Sequence, residues 1–182
     1  MSNNSNNNNN HSPKHPLEVP VFSPTSAALA LAAGAQRLEL NRAGSYPNGG
    51  LTPSIADLEV VACGCGGADV PVRVMIRPRG AGPGGGDEDG KEDLDFVYTD
   101  AEFEEMKQCM EVMIATPGLL RPERGDGFVF GVLKKQDDED REKEQDGEGK
   151  AKGKAKVVVD VERNSELVRL AGGLPCVFHR AF

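Results

Sequence analysis

Apolar and polar positions along the chain fall into short alternating blocks. Residues 17–22 read as a strand, after which Ser23 offers an N-cap, Pro24 takes the first helical position, an alanine-rich helix follows, and Gly34 stops it. Residues 37–40 make a second strand, and the glycine turn at Gly49 and Gly50 leads to Thr52 and Pro53. That pair repeats the cap-then-proline start and predicts a helix running to about Cys63. Residues 71–76 alternate as a third strand before giving way to Arg77, Pro78, Arg79 and Gly80. Thr99 and Glu102 form a capping box ahead of Phe103, Met106, Met110 and Met113, whose helical spacing marks a core stripe rather than a cofactor box. Residues 127–133 read as a fourth strand, 165–171 as a short helix ended by Gly172 and Gly173, and 176–182 as a fifth strand.

A β-then-α unit repeated four times and closed by a fifth strand implies a parallel sheet, because each right-handed crossover returns the chain to the same end. The class is α/β, as either an open doubly wound sheet or a (β/α) barrel. Both folds bind ligands where strands end and loops begin, so the ionisable residues on and after the strands carry the functional information. These are Glu18, Glu39, Arg77, Arg79, His179 and Arg180. Charges inside a parallel sheet are costly unless paired, so the set implies either structural ion pairs or an anion site in which guanidinium forks meet carboxylate or phosphate. Alternation puts Arg77 and Arg79 on one face if the strand stays extended, and His179 and Arg180 on opposite faces.

Three stretches break the pattern. Residues 1–16 are asparagine-rich and are expected to form a disordered tail; His11 and His15 on it read as incidental. Residues 81–95 pass from a glycine cluster into six acids opposed by one lysine, and residues 134–156 hold eight basic and eight acidic side chains without an apolar period, so both read as solvated insertions. Gly80, Gly82 and Gly85 spell G-x-G-x-x-G, but the acids that follow would repel a pyrophosphate, so no nucleotide is expected.

Composition narrows the class further. Acids outnumber bases, 29 to 21, for a formal charge of -8, which argues against nucleic acid and anionic membrane surfaces as partners. No apolar run approaches the ~20 residues that span a bilayer. Cys63, Cys65, Cys109 and Cys176 do not form a secreted disulfide framework, and the reading is cytoplasmic. Cys63-x-Cys65 is the candidate metal pair, beside glycines at a helix end.

The runs Gly49-Gly50-Leu51-Thr52-Pro53-Ser54, Ile76-Arg77-Pro78-Arg79-Gly80, Phe96-Val97-Tyr98-Thr99-Asp100 with Glu102, Gly131-Val132-Leu133, and Phe178-His179-Arg180-Ala181-Phe182 resemble the CutC family of copper homeostasis proteins. Ala33-Gly34-Ala35 and Arg37-Leu38-Glu39-Leu40 add to the likeness, which covers residues 17–182 apart from the two charged insertions. The resemblance implies a TIM-type barrel, a cytoplasmic location, and a role in copper tolerance or trafficking with copper ion as cargo. It also implies that Glu18, Glu39, Arg77, Arg79, His179 and Arg180 stand at the barrel mouth. Family members often carry cysteines on the first strand and just after the second, where this chain has Val19-Pro20-Val21 and Leu40-Asn41-Arg42. The pattern stops at a fifth strand where a barrel needs eight, so an incomplete barrel of about five strands and four helices is expected. Pro20, which has no N–H to give, suits an edge strand of such a sheet. Two other readings follow from the residues themselves: a barrel enzyme acting on a small anionic metabolite, and a truncated chain without function.

Overall fold

The computed structural model describes residues 15–64, 69–80, 94–136 and 157–179, with Cys63 and Gly64 in backbone only. Cys65, Gly82, Gly85, Arg180, most of the asparagine-rich tail, the acidic stretch to residue 93 and the charged stretch 137–156 lie outside the described residues.

Five parallel strands form one sheet in chain order: β1 (Glu18–Val21), β2 (Arg37–Leu40), β3 (Val72–Met75), β4 (Gly127–Phe130) and β7 (Cys176–Phe178). Among the described residues four helices join them: α1 (Pro24–Ala32), α2 (Ile55–Gly64), α3 (Asp100–Ala115) and α4 (Val161–Leu170). Pro20 does lie on an edge strand, since β1 ends the sheet. A strand order without a reversal leaves no switch point, so the doubly wound alternative does not describe this sheet.

Alternation along the strands separates two faces. Val21, Leu38, Leu40, Val72, Val74, Phe128 and Phe130 share one core with Ala27 of α1, Leu58 of α2, the α3 stripe and Leu167 of α4. All four helices therefore cover the same face, as right-handed crossovers between sequential strands require. The opposite face carries Glu18, Arg37, Glu39, Arg73, Met75 and Val129. Met75 and Val129 are buried there, although neither belongs to the helix-facing core.

Local chemistry explains most of the boundaries. Ser23 caps α1 with Pro24 behind it, and Thr99 and Glu102 close the capping box of α3, whose Phe103, Met106, Met110 and Met113 are all buried. The second helix starts later than Thr52: Ser54 is its cap, accepting from the Asp57 amide at 3.1 Å. Thr52 instead accepts from the Arg77 amide at 2.8 Å, so a tertiary contact takes the hydroxyl that was expected to cap. The fourth strand ends at Phe130 rather than residue 133. Leu133 to Lys135 (β5) pairs antiparallel with Val157 to Val159 (β6), so Lys134 and Lys135, assigned from sequence to the charged insertion, belong to a two-stranded ribbon. The last helix begins at Val161, with Asp160 accepting from the Arg163 amide, four residues ahead of the expected start.

Gly127 is the tightest point in the sheet. A Cβ built there would lie 2.0 Å from the Pro175 carbonyl oxygen, a backbone atom that cannot step aside without moving β7. Gly127→Ala is expected to lower stability by about 1–3 kcal/mol, read as a lower urea midpoint at unchanged slope.

Candidate functional site

The C-terminal ends of the strands meet the loops that follow β2 and β3, and one arginine ties these loops together. Arg77 is 2% exposed. Its Nη1 donates to the carbonyls of Asn48 and Gly50, the latter at 2.8 Å, and its Nη2 donates to both Asp95 carboxylate oxygens at 2.9 and 2.8 Å. The guanidinium also stacks 4.8 Å from the Phe96 ring centroid. Thr52 and Arg77 bond reciprocally: the Arg77 amide donates to the Thr52 hydroxyl, and the Thr52 amide donates to the Arg77 carbonyl. Phe96 takes a positive φ of 66°, which a bulky residue adopts only when its surroundings hold it there.

Arg79 lies just beyond. Its Nε donates to Glu102 at 2.5 Å, its Nη2 donates to the Val97 carbonyl, and its guanidinium lies 5.6 Å from the Tyr98 centroid. Burial alone would push the Glu102 carboxyl up, but bonds from the Thr99 amide and Arg79 outweigh it and hold the group below the ordinary glutamate range. Burial pushes the Tyr98 hydroxyl far up, against the pull of Arg77 and Arg79. The two arginines expected to greet an anion thus serve the loops around the mouth.

The remaining predicted residues separate. Glu39 and His179 come together in a mouth cavity of about 510 Å³, lined also by Pro20, Phe22, Tyr46, Pro47 and Gly49. On a flat sheet β2 and β7 would stand roughly 14 Å apart, three strand spacings. Residues from both nevertheless line one cavity. The His179 amide extends the β7 ladder by donating to the Phe130 carbonyl at 2.7 Å, and its ring lies 5.5 Å from that of Phe96. Asn41 Nδ2 donates to Glu39 Oε1 at 3.3 Å.

Glu18 lies elsewhere. It opens β1 at the N-terminal end of the sheet, where it accepts from Arg37 across the register. Arg73 is buried near it, donating to the Gly125 carbonyl; burial lowers its pKa, Arg37 adds to the effect, and Glu18 and Asp126 oppose it. Cys63 falls in the last turn of α2, also away from the mouth. Cys109 and Cys176 are half-buried, and burial pushes both thiols up, which disfavours the thiolate a soft metal needs. Among the described residues no three His, Cys, Asp or Glu side chains gather into a metal cluster, and no helix is long and apolar enough to cross a membrane.

Sequence reasoning missed Asp95, Phe22 and Tyr46. Asp95 was counted with the acidic stretch, and its position beside the Phe96 run was the available signal. Phe22 and Tyr46 become neighbours only through the loop after β2, where their rings meet edge to face at 5.4 Å.

Residues 15–146 match the model of the CutC family. The chain belongs to the CutC family. A copper homeostasis protein cutC homolog of Drosophila melanogaster is 33% identical over 166 residues, spanning 91% of this chain and 46% of the fly protein. A crystal structure of a CutC protein from Streptococcus agalactiae superposes at a TM-score of 0.57 and 24% identity, covering 92% of this chain and 60% of the bacterial one. The CutC-family chain described here thus spans about half the length of the curated relative it matches. Four of the motif runs that resemble the family have described roles in the fold: the 49–54 and 76–80 runs form the Arg77 clamp, the 96–100 run supplies Phe96 and the α3 cap, and 131–133 leads into β5.

Proposed function

We propose that this CutC-family chain acts in copper homeostasis, a reading carried by its family membership. Its sheet forms the wall of a TIM-type (β/α) barrel, supported by the sequential strand order and the helices on one face. In this reading residues 1–16 are a tail, and 17–182 are barrel interrupted by insertions at 81–95 and, beginning after Lys135 of β5, at 136–156. The location is cytoplasmic.

Copper as cargo falls to Cys63 and Cys65, because thiolates suit Cu(I) and burial pushes the pKa of the other two thiols up. A competition titration against a chromogenic Cu(I) chelator is expected to show uptake by the reduced protein and its loss in the Cys63→Ser, Cys65→Ser double variant. Uptake unchanged in the double variant would remove these thiols from the copper site.

A second reading places a small-molecule site at the mouth. The observation favouring it is the 510 Å³ cavity joining Glu39 and His179 at strand ends, a size typical of ligand sites. The anionic ligand expected from Arg77 and Arg79 finds both guanidinium groups bonded to carboxylates and backbone carbonyls. Arg180 stays a candidate of the same mouth set.

A further inference from the structure

The end of the sheet away from the mouth carries a charge without a counter-charge. Arg37 opens β2 and Arg73 lies on the neighbouring β3, both on the helix-free face. Among the described residues three arginines are buried: Arg73, Arg77 and Arg124. Arg77 holds both oxygens of Asp95, and Arg124 holds both oxygens of Asp126. Arg73, at 7% exposed, holds none of the described carboxylates: its Nη1 donates to the Gly125 carbonyl, and its buried Nε has no acceptor. The two carboxylates that act on it from nearby are already engaged, Glu18 by Arg37, and Asp126 by Arg124 and the Val72 and Arg121 amides. Arg37 reaches Glu18 through Nε, which leaves its Nη donors without an acceptor among the described residues.

We propose that Arg73 and Arg37 bind a small oxyanion, of the phosphate or carboxylate class, on the helix-free face at the N-terminal end of the strands. A guanidinium withdrawn from water is costly unless a counter-charge stands beside it. Burial lowers the Arg73 pKa, and the neighbouring Arg37 adds a repulsion that an anion between the two would turn into attraction. Planar guanidinium forks meet the paired oxygens of a phosphate or carboxylate, whereas chloride cannot span a fork and water brings no charge. A cation would face two like charges. This site shares no residue with the mouth cavity or with Cys63 and Cys65, so it stands or falls apart from both readings above.

The test is a chemical-shift titration of the 15N-labelled protein with sodium phosphate and sodium acetate, following the Arg73 Nε–H and the Gly125 amide. Sodium chloride at matched ionic strength is the control, and the Gly49 amide at the mouth is the distant reference. Saturable shifts at Arg73 and Gly125 are expected with both oxyanions, with Gly49 unmoved. Arg73→Met keeps an apolar stem but no charge, and should weaken phosphate binding, read at Gly125, by at least about 10-fold. Arg37→Gln should weaken it by about 2-fold to about 5-fold, read at Arg73 itself. Arg37 is part-exposed, so this second variant decides the matter if Arg73→Met does not fold. Shifts that match those of chloride, or binding unweakened in whichever variant folds, would overturn the proposal. Arg73 shifts that grow with protein concentration and ignore added oxyanion would also overturn it, by placing a carboxylate of a second copy there instead.

Discussion

Asp126→Ala is expected to lower the stability of the chain by roughly 3–5 kcal/mol, the usual cost of stranding a buried charge. Asp126 and Arg124 are paired at 2.6 Å with side chains 0% and 2% exposed. The carboxylate also accepts from the Val72 amide at 2.9 Å and the Arg121 amide at 2.8 Å, so it joins the start of β3 to the turn before β4. Arg124 in turn donates to the Ala62 carbonyl in α2. Removing the carboxylate strands one guanidinium and two backbone amides at once. Urea denaturation followed by circular dichroism measures the loss. The double variant Arg124→Met, Asp126→Leu should recover part of it, since two apolar side chains strand no charge. Full recovery is not expected, because the Val72 and Arg121 amides stay without their acceptor. A loss under ~1 kcal/mol for the single variant would mean that the pair is hydrated in solution.

Arg77→Lys is expected to destabilise by about 3 kcal/mol despite keeping the charge. The guanidinium bonds two loop carbonyls and a carboxylate while stacking on Phe96, and an ammonium cannot present donors in one plane on three sides. Losing the clamp also frees Phe96 from the contact that offsets its positive φ. The same denaturation experiment reads the stability, and the Gly49 amide shift reads whether the loop after β2 has moved. A lysine variant as stable as the parent, with Gly49 unmoved, would show that the clamp is dispensable and would return Arg77 to the list of ligand-binding candidates.

These two arginines show how far the residues could be read in order. Arg77 was legible as important, because a charge at the end of a buried strand needs a partner, but its partners lie 18 to 29 positions away and are invisible to local pattern. Thr52 failed as a predicted cap for the same reason: its hydroxyl faces the distant Arg77 amide, and Ser54 caps the helix instead. The strand at residues 157–159 was hidden because three valines beside a lysine-rich stretch offer no alternation, and pairing with β5 is what makes them a strand. Glu18 shows a different limit. Its place on a strand was clear, yet whether it opened or closed that strand decided which end of the sheet it served.

The order of the five sheet strands and the four helices between them, both capping devices and the methionine stripe of α3 follow from the sequence by itself, because each depends on residues within one or two turns of one another. The family resemblance was equally local, carried by short runs whose order is a property of the chain. Tertiary structure alone decided which charges would be spent in holding loops and which would line a cavity. Glu39 and His179 are 140 positions apart, and only the pairing of the strands brings them to one cavity, while Arg77 and Arg79 are drawn into the walls beside it. Desolvation is the physical reason: a guanidinium at a closing strand end must find acceptors as water leaves, and the loop carbonyls and carboxylates supply them.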